Sequence, residues 1–420
     1  MTALQGIVLI PVAGGTVFSV LGLLAVVWVC RVRKTRRDAA SSLPPVTVLK
    51  PVCGLEKGLE DNLHSICRQD YPDYQVVMSA QSRDDDAIPL LGQMRDRYGA
   101  DRVTVVVDEV HAGLNGKINN MLGGIKAARN DVLVISDSDV QLAPDYLRAI
   151  VAPLDDPQVG AACTLFRATR AETWYEKLEL LSINADFMPS VVFADCTGAS
   201  RFCLGPSIAL KRSTLESIGG FEALADYLVE DFEIGRRVWD SGRRMQLVPH
   251  VIDKVVDLDD AASWWHHQVY WDQNTRSARP AAFFATIVTR AVPFSIIFAL
   301  MRGLDPLGLT VMAATVAIRL LTGAGTVWGF KDREGLAAIW LLPLRDIIGL
   351  VSFVLAFTKR TVIWRGQEFV LTRNGRLAPV DSPSDGAETD AGRGAGDARS
   401  TPQRERWRKV AAIIVAIFVR

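Results

Sequence analysis

The chain has 420 residues, of which 47 are basic and 47 acidic, and 49% of its residues are hydrophobic. Because the two signs of charge balance, the basic excess typical of nucleic-acid-binding proteins is missing, and a nucleic-acid partner is disfavoured. The apolar residues are concentrated near the N-terminus and between residues 281 and 357, which indicates membrane association rather than one soluble core.

The N-terminal apolar segment, residues 7–30, is long enough to cross a hydrocarbon core of about 30 Å. It runs directly into the basic stretch 31–37. A cleaved signal peptide would carry its basic residues before the apolar segment, so this order favours a retained anchor. Since basic residues prefer the cytoplasmic side, we predict an anchor with a basic flank over residues 1–41 and a cytoplasmic location for the chain that follows.

The central part of the chain, residues 42–280, has the composition of a globular domain with its own core. Short β-rich runs alternate there with helical patterns at 59–68 and 87–98. The β-rich runs are residues 46–50, 74–78, 103–107 and 132–136. This alternation predicts an α/β fold with a mainly parallel sheet, in which ligands bind at the carboxyl ends of the strands.

Acidic residues follow two of these runs. A DDD triplet, residues 84–86, comes after the second run, and Asp137 and Asp139 come directly after the fourth. Two carboxylates one residue apart can present oxygen atoms to a hard divalent cation that also holds a diphosphate. A DxD triplet is also common in turns and helix caps, so its position at a strand end is what favours a binding site.

The second apolar region divides into three segments. Three full spans would place Lys359 and Arg360 outside the membrane, against the preference of basic residues for the cytoplasmic side. The segment 281–303 contains Arg290 and a proline, so we predict an interfacial or re-entrant helix there and two transmembrane helices within 304–360.

The remaining C-terminal residues carry weaker signals. Residues 361–379 are predicted to be a cytoplasmic segment. Residues 380–420 are rich in Gly, Ala, Ser and Asp and finish in a short apolar run, which predicts a disordered tail with an apolar end. Charged residues within the apolar segments, such as Arg319, Arg345 and Asp346, are expected to pair or to face protein.

Several blocks, taken together and in order, resemble the ceramide glucosyltransferase family, which is glycosyltransferase family 21 of the wider GT-A superfamily. The blocks are VTVLKPVCG (46–54), QDYP (69–72), DDDA (84–87), GLNGKINN (113–120), SDSD (136–139) and VEDF (229–232). The resemblance implies that residues 42–280 form a cytoplasmic GT-A catalytic domain. It also implies an inverting transfer of glucose from UDP-glucose to the primary hydroxyl of ceramide, with Mg²⁺ or Mn²⁺ as cofactor.

The resemblance also assigns roles by matched position. Asp85 is expected near the uridine, and Lys117 and Asn120 beside the donor. Asp137 is expected to bind the donor and the metal, and Asp139 completes a DxD motif as a second metal contact or a ribose contact.

Glu230 and Asp231 lie where the sequence predicts the first turn of a helix. Local sequence alone leaves two interpretations open, because the pair can either complement the helix dipole or include a general base. By resemblance, Asp231 matches the third family aspartate, the expected general base, with Glu230 as a supporting residue.

The chain departs from the family at its (Q/R)xxRW box, where the sequence reads His267-Gln-Val-Tyr270-Trp271. Trp271 keeps its place and is expected at the donor, but tyrosine cannot replace the planar, charged donors of the missing arginine. His267, Tyr270 and Arg276 are the supporting candidates. The same tryptophan-rich stretch is also typical of an aromatic belt at a bilayer surface.

We therefore predict a UDP-sugar-dependent lipid glycosyltransferase, integral to a bacterial inner membrane, with its catalytic domain facing the cytoplasm and ceramide as the lipid acceptor. Three alternatives stay open at this point. They are transfer to another membrane lipid such as a hopanoid, processive polysaccharide synthesis, and a non-catalytic sugar-nucleotide or lipid-binding relative.

Overall fold

The computed structural model describes residues 2–33, 43–358, 361–364, 367–372 and 375–379. The predicted tail over 380–420 and most of the basic flank after residue 33 lie outside these residues. The central strands within them are β1 (Val46–Pro51), β2 (Tyr74–Ala80), β3 (Val103–Val107), β4 (Val132–Ser136), β5 (Val140–Gln141), β6 (Val159–Thr169), β7 (Ser207–Lys211) and β8 (Arg244–Val255).

These strands form one sheet in the order β3-β2-β1-β4-β7-β6-β8-β5. The first four strands are parallel to one another, and β6 is parallel to β8, whereas β7 and β5 run antiparallel to their neighbours. Every residue of β1, β2 and β4 is buried, as expected for valine-rich strands with both faces of the sheet covered. The four predicted strand runs and the mainly parallel sheet are confirmed.

Helices cover both faces of this sheet and form the apolar regions. They are α1 (Ala3–Val27), α2 (Leu59–Cys67), α3 (Ile88–Tyr98), α4 (Gly116–Gly124), α5 (Tyr146–Val151), α6 (Trp174–Ser182), α7 (Met188–Cys196), α8 (Arg212–Ser217), α9 (Glu230–Asp240), α10 (Ala261–Ala278), α11 (Pro280–Ala285), α12 (Ala291–Met301), α13 (Pro306–Gly329), α14 (Arg333–Ala338) and α15 (Leu342–Leu355). The predicted helices at 59–68 and 87–98 correspond to α2 and α3.

Three helices of the described chain are long and apolar enough to span a membrane. They cover Ala3–Arg31, Pro306–Gly329 and Arg333–Leu355. Helices α11 and α12 form a pair bent by 53°, which has the form of a broken span or a re-entrant loop. The interfacial or re-entrant helix over 281–303 remains a prediction, and the observed bend lies within that segment, between Thr289 and Ala291.

The apolar helices pack closely and pair their charges. Helix α1 contacts α12 and α13, and a Cβ atom on Gly15 would lie 2.5 Å from the carbonyl oxygen of Thr289, so only glycine fits this approach. Nε of Arg319 lies 2.8 Å from Oδ2 of Asp346, and Arg345 also pairs with Asp346. The predicted pairing of these buried charges is confirmed.

The segment after α15 folds into three described strands, β9 (Thr361–Trp364), β10 (Gln367–Leu371) and β11 (Leu377–Pro379), which pair antiparallel. This small sheet lies on the loop before α9. The backbone N–H of Leu377 donates to the carbonyl oxygen of Asp226 at 2.8 Å, and that of Leu228 donates to Gly375 at 3.0 Å. The C-terminal segment thereby braces the start of α9.

Candidate active site

A cavity of about 200 Å³ opens where β1 and β4 end and where α4 begins. Its lining residues are Pro51, Val52, Glu56, Lys117, Asn120, Asp137, Ser138 and Asp139. The structure thus brings four of the residues predicted from sequence to one cavity at the carboxyl edge of the sheet, which is where a parallel α/β sheet binds its ligands.

Asp85 ties together the loops that follow β1 and β2. Its two carboxylate oxygens accept hydrogen bonds from the backbone N–H of Gly54 at 3.0 and 3.1 Å, and Oδ1 also accepts from Ala87 at 2.9 Å. Gly54 has a φ of 72°, a conformation that favours glycine. Asp85 is not one of the residues that line the cavity, so its contact with a uridine remains a prediction.

Helix α4 is positioned by Asn115, a residue that the sequence analysis missed. Its side-chain oxygen caps the helix by accepting from the N–H groups of Lys117 and Ile118 at 2.9 and 3.1 Å. Its amide nitrogen donates to the carbonyl oxygen of Tyr227 at 2.7 Å and to Oε2 of Glu230 at 3.3 Å. An asparagine just before a helix is a recognised capping signal, but the link to α9 has no local signal.

Lys117 joins two acidic motifs that lie far apart in sequence. Its Nζ lies 2.6 Å from Oδ1 of Asp137 and 2.8 Å from Oε1 of Glu230. Burial opposes the charged form of Lys117, but the carboxylates of Asp137 and then Glu230 outweigh it and raise the pKa above its usual range. Lys117 therefore remains an ammonium ion between the DxD motif and the start of α9.

The DxD motif is held from both sides. Oδ2 of Asp139 pairs with the ammonium of Lys254 on β8, and Oδ1 of Asp139 is buried with no hydrogen-bond partner among the described residues. Between the two aspartates, Oγ of Ser138 donates to Oε2 of Glu56 at 2.5 Å. One carboxylate oxygen of Asp139, a residue that lines the cavity, is therefore buried without a hydrogen-bond donor from the described residues.

Lys50, Glu56 and Lys254 are further site residues that the sequence analysis did not identify. Lys50 is fully buried at the end of β1, and its Nζ donates to Oγ of Ser136 at 3.2 Å and to the carbonyl oxygen of Asp137. Burial lowers the pKa of Lys50 to about 8. Burial also raises the pKa of Glu56. A charged residue within a buried strand that is otherwise uncharged was the one available signal for Lys50.

The charges at this site suit a divalent cation. Among the described residues, five carboxylates meet three lysines here, namely Glu56, Asp137, Asp139, Glu230 and Asp231 with Lys50, Lys117 and Lys254. No group of three or more potential metal ligands occurs in the described part of the chain. Proteins usually bind Mg²⁺ through one or two carboxylates, while water and substrate phosphates supply the other ligands. Asp137 and Asp139 therefore fit a site for a divalent cation bound together with a diphosphate.

Asp231 lies in the first turn of α9 and accepts two backbone hydrogen bonds. Oδ2 accepts from the N–H of Gly205 at 2.8 Å, and Oδ1 accepts from Phe232 at 2.7 Å. Burial and then the neighbouring charge of Glu230 raise the pKa of Asp231 to about 7, against the lowering effect of Lys117. A carboxylate with such a pKa can accept a proton near neutral pH, as a general base must.

Residues 14–377 match Glycosyl transferase family 21. The chain belongs to this family. The predicted α/β domain with a mainly parallel sheet and flanking apolar helices is confirmed. Family membership also establishes a glycosyltransferase, and therefore the coarser part of the predicted activity.

The chain is also similar to relatives and to a solved structure of known name. Ceramide glucosyltransferase 1 of Caenorhabditis elegans is 22% identical over 352 residues, which cover 80% of this chain and 73% of the relative. Ceramide glucosyltransferase 3 of the same organism is 22% identical over 375 residues, or 82% of this chain and 76% of the relative. A mannosyltransferase from Pyrobaculum calidifontis, solved with GDP-Man and Mn²⁺, superposes with a TM-score of 0.46 at 22% identity, over 83% of this chain and 98% of that one.

The box residues of this family 21 chain contact α6 and its continuation. Nδ1 of His267 lies 3.1 Å from Oε1 of Glu179 on α6, and Nε1 of Trp271 donates to Nε2 of His267 at 2.7 Å. The Trp271 ring also meets the edge of Phe187, with centroids 5.5 Å apart. These contacts fix the orientation of α10, and a contact of Trp271 or His267 with the donor remains a prediction.

Tyr270, which stands at the family's arginine position, stacks on His267 and packs against an apolar cluster that includes Leu228 and Phe369. Arg276 lies over the ring of Phe357, with 5.6 Å between its guanidinium carbon and the ring centroid. Neither residue lines the cavity of the DxD motif. Their supporting roles at the donor also remain predictions.

Proposed function

We propose that this family 21 chain transfers glucose from UDP-glucose to the primary hydroxyl of ceramide, with inversion at the anomeric carbon. The observation that carries this proposal is the bridge made by Lys117, which lines the cavity and joins Asp137 to Glu230, next to Asp231. A site for the leaving group and a group that can take a proton are thereby adjacent, as a single displacement requires.

In the proposed reaction the carboxylate of Asp231 accepts the proton of the lipid hydroxyl. The hydroxyl oxygen then forms a bond to the anomeric carbon while the bond from that carbon to the diphosphate breaks, and UDP leaves with the electron pair. The N–H groups of Gly205 and Phe232 hold the Asp231 carboxylate in place. Lys117 lies beside the developing negative charge of the diphosphate, where a fixed cation stabilises the transition state.

A divalent cation, Mg²⁺ or Mn²⁺, would be held by Asp137 and Asp139 and would neutralise charge on the leaving diphosphate. The unpartnered Oδ1 of Asp139 supports this assignment. Oδ1 of Asn120 is also buried and without a partner, while its amide nitrogen donates to the carbonyl oxygen of Val52 at 2.9 Å. Asn120 thus offers an acceptor to a bound donor.

The apolar helices supply the means to meet a lipid acceptor. The order of the apolar N-terminal helix and the basic residues after it supports a catalytic domain on the cytoplasmic side of the membrane, and we propose a bacterial inner membrane as its location. In this arrangement the acceptor hydroxyl reaches the cavity from the bilayer, and UDP-glucose enters from the cytoplasm. Ceramide is the proposed acceptor because two relatives across more than three quarters of the chain are ceramide glucosyltransferases.

The test is a matrix of donors and acceptors with the purified protein in lipid nanodiscs and Mn²⁺. UDP-glucose, UDP-galactose and UDP-N-acetylglucosamine are each supplied with ceramide or with a hopanoid, and the lipids are analysed by mass spectrometry. We expect a monohexosylceramide from UDP-glucose. Transfer to the hopanoid alone would overturn the acceptor assignment, a ladder of oligosaccharides would indicate a processive synthase, and no transfer despite UDP binding would favour a non-catalytic relative.

A further inference from the structure

Lys254 does not line the cavity itself, but it pairs with Asp139, which does, and its surroundings differ from those of Lys50 and Lys117. It lies on β8 opposite Val140, directly after the DxD motif in the neighbouring strand. Its ammonium pairs with Oδ2 of Asp139, and the side chains of Lys254 and Asp139 are 22% and 24% exposed. The pair is therefore largely buried but keeps some exposure to solvent.

The other lysines are fixed by more than one acceptor. Lys117 is held between the carboxylates of Asp137 and Glu230, and Lys50 is fully buried between two oxygen acceptors. Within the described residues, Asp139 is the one ion-pair partner of Lys254. Of the three ammonium groups, that of Lys254 is consequently the least constrained.

A donor diphosphate at this cavity also needs a positive charge from the protein that the box does not supply. Tyr270 stands where the family has an arginine, and its ring packs in an apolar cluster. Diphosphates bind most strongly to charge-assisted donors such as lysine and arginine. Lys254 lies within the same acidic cluster as Asp137 and Glu56, which are among the charges that act on it.

We propose that Lys254 is a diphosphate-binding residue that pairs with Asp139 only until donor and cation bind. A cation on Asp139 replaces the ammonium as the partner of that carboxylate, and the freed ammonium turns to the phosphate oxygens. One cation replaces another on Asp139, so no carboxylate is left uncompensated at any stage. This inference rests on the proposed function, because it requires a nucleotide-diphosphate donor and a divalent cation at the cavity.

The test compares Lys254→Met with the unmodified protein in three binding experiments. Without nucleotide, electron paramagnetic resonance should show tighter Mn²⁺ binding in the variant, because the competing ammonium is absent. With Mn²⁺ present, calorimetry should show UDP binding weakened by about tenfold or more, the usual effect of losing one charge-assisted hydrogen bond. Uridine has no phosphate, so its affinity, measured by ligand-observed NMR, should stay unchanged.

Two further variants keep the result interpretable. Lys254→Gln can still donate a hydrogen bond to Asp139, so it guards against misfolding, and it should lose UDP affinity as Lys254→Met does. Lys126→Met removes an exposed lysine that pairs with Asp108 at 2.8 Å and should change none of the three measurements.

The inference is overturned if both Lys254 variants bind UDP as tightly as the unmodified protein does, or if uridine affinity falls together with UDP affinity. Unchanged or weaker Mn²⁺ binding in Lys254→Met would refute the competition for Asp139. If the unmodified protein binds no UDP in the presence of Mn²⁺, both this inference and the proposed function fail. If it binds UDP but transfers no glucose to ceramide, the acceptor assignment fails and the role of Lys254 in binding the diphosphate is unaffected.

Discussion

Lys117 provides the most demanding test of how this site is held together. Its ammonium lies 2.6 Å from Asp137 and 2.8 Å from Glu230, whose side chains are 23% and 12% exposed. Replacing Lys117 with methionine keeps the length of the side chain and removes its charge. Two largely buried carboxylates then lose their counter-ion, and breaking one such pair typically costs about 3–5 kcal/mol. We expect a loss of this order in the free energy of unfolding.

The same substitution should also alter the pH dependence of the reaction. The positive charge of Lys117 lowers the pKa of Asp231. Without that charge the protonated carboxyl is favoured, so the pKa of Asp231 rises above its value of about 7. The acidic limb of the profile of kcat against pH, measured at saturating donor, should therefore move to higher pH.

Thermal unfolding in detergent and a pH series of UDP release measure both effects. The double variant Lys117→Met/Glu230→Gln removes one of the uncompensated charges and should regain part of the lost stability. Lys126→Met, which breaks an exposed ion pair, should unfold within about 1 kcal/mol of the unmodified protein. If Lys117→Met is as stable as this control and its acidic limb has not moved, the bridging role given to Lys117 is incorrect.

Three further predictions concern Asp231 and two glycines. In the unmodified protein, kcat should decrease as the pH is lowered from about 7, with the slope of a single protonation, because only the ionised Asp231 accepts a proton. A kcat that stays constant down to about pH 5 would contradict this. A Cβ on Gly205 would lie 3.0 Å from the Asp231 carboxylate. Gly205→Ala should therefore displace that carboxylate and lower kcat about tenfold. Gly92→Ala should leave kcat unchanged, because the space around Gly92 is open. Gly15→Ala should lower the melting temperature in detergent, because the added Cβ clashes with Thr289. Gly6→Ala should leave the melting temperature unchanged, because a Cβ there meets no atom within 4 Å. Equal effects of Gly205→Ala and Gly92→Ala, or of Gly15→Ala and Gly6→Ala, would refute the packing argument.

The parts of the fold that the sequence predicted are those encoded over short stretches. Runs of β-branched residues identify β1 and β4, because both faces of these strands are buried and no alternation obscures them. The DxD motif follows β4 directly and acidic residues open α9, so both positions were evident in the sequence, but the role of Asp231 was predicted from the family resemblance and not from the local pattern. The segment 361–379 has no comparable pattern, and its sheet was missed.

Contacts between distant residues account for what the sequence did not predict. Lys254 meets Asp139 across 115 residues, and Lys117 meets Glu230 only because Asn115 joins α4 to the loop before α9. Neither pairing leaves a periodicity or a spacing in the sequence. The sequence identified Tyr270 as a departure from the family pattern, but its apolar neighbours come partly from strands that lie about 100 residues later.

The measurement that tests the central claim most directly compares the unmodified protein with Asp231→Asn. Both are supplied with UDP-glucose, Mn²⁺ and ceramide, and glucosylceramide formation and UDP binding are measured on the same preparations. The proposed mechanism predicts that the variant binds UDP as tightly as the unmodified protein and forms no product, because asparagine cannot accept the proton. Glucosylceramide formation by the variant at the unmodified rate would contradict the assignment of Asp231 as the general base.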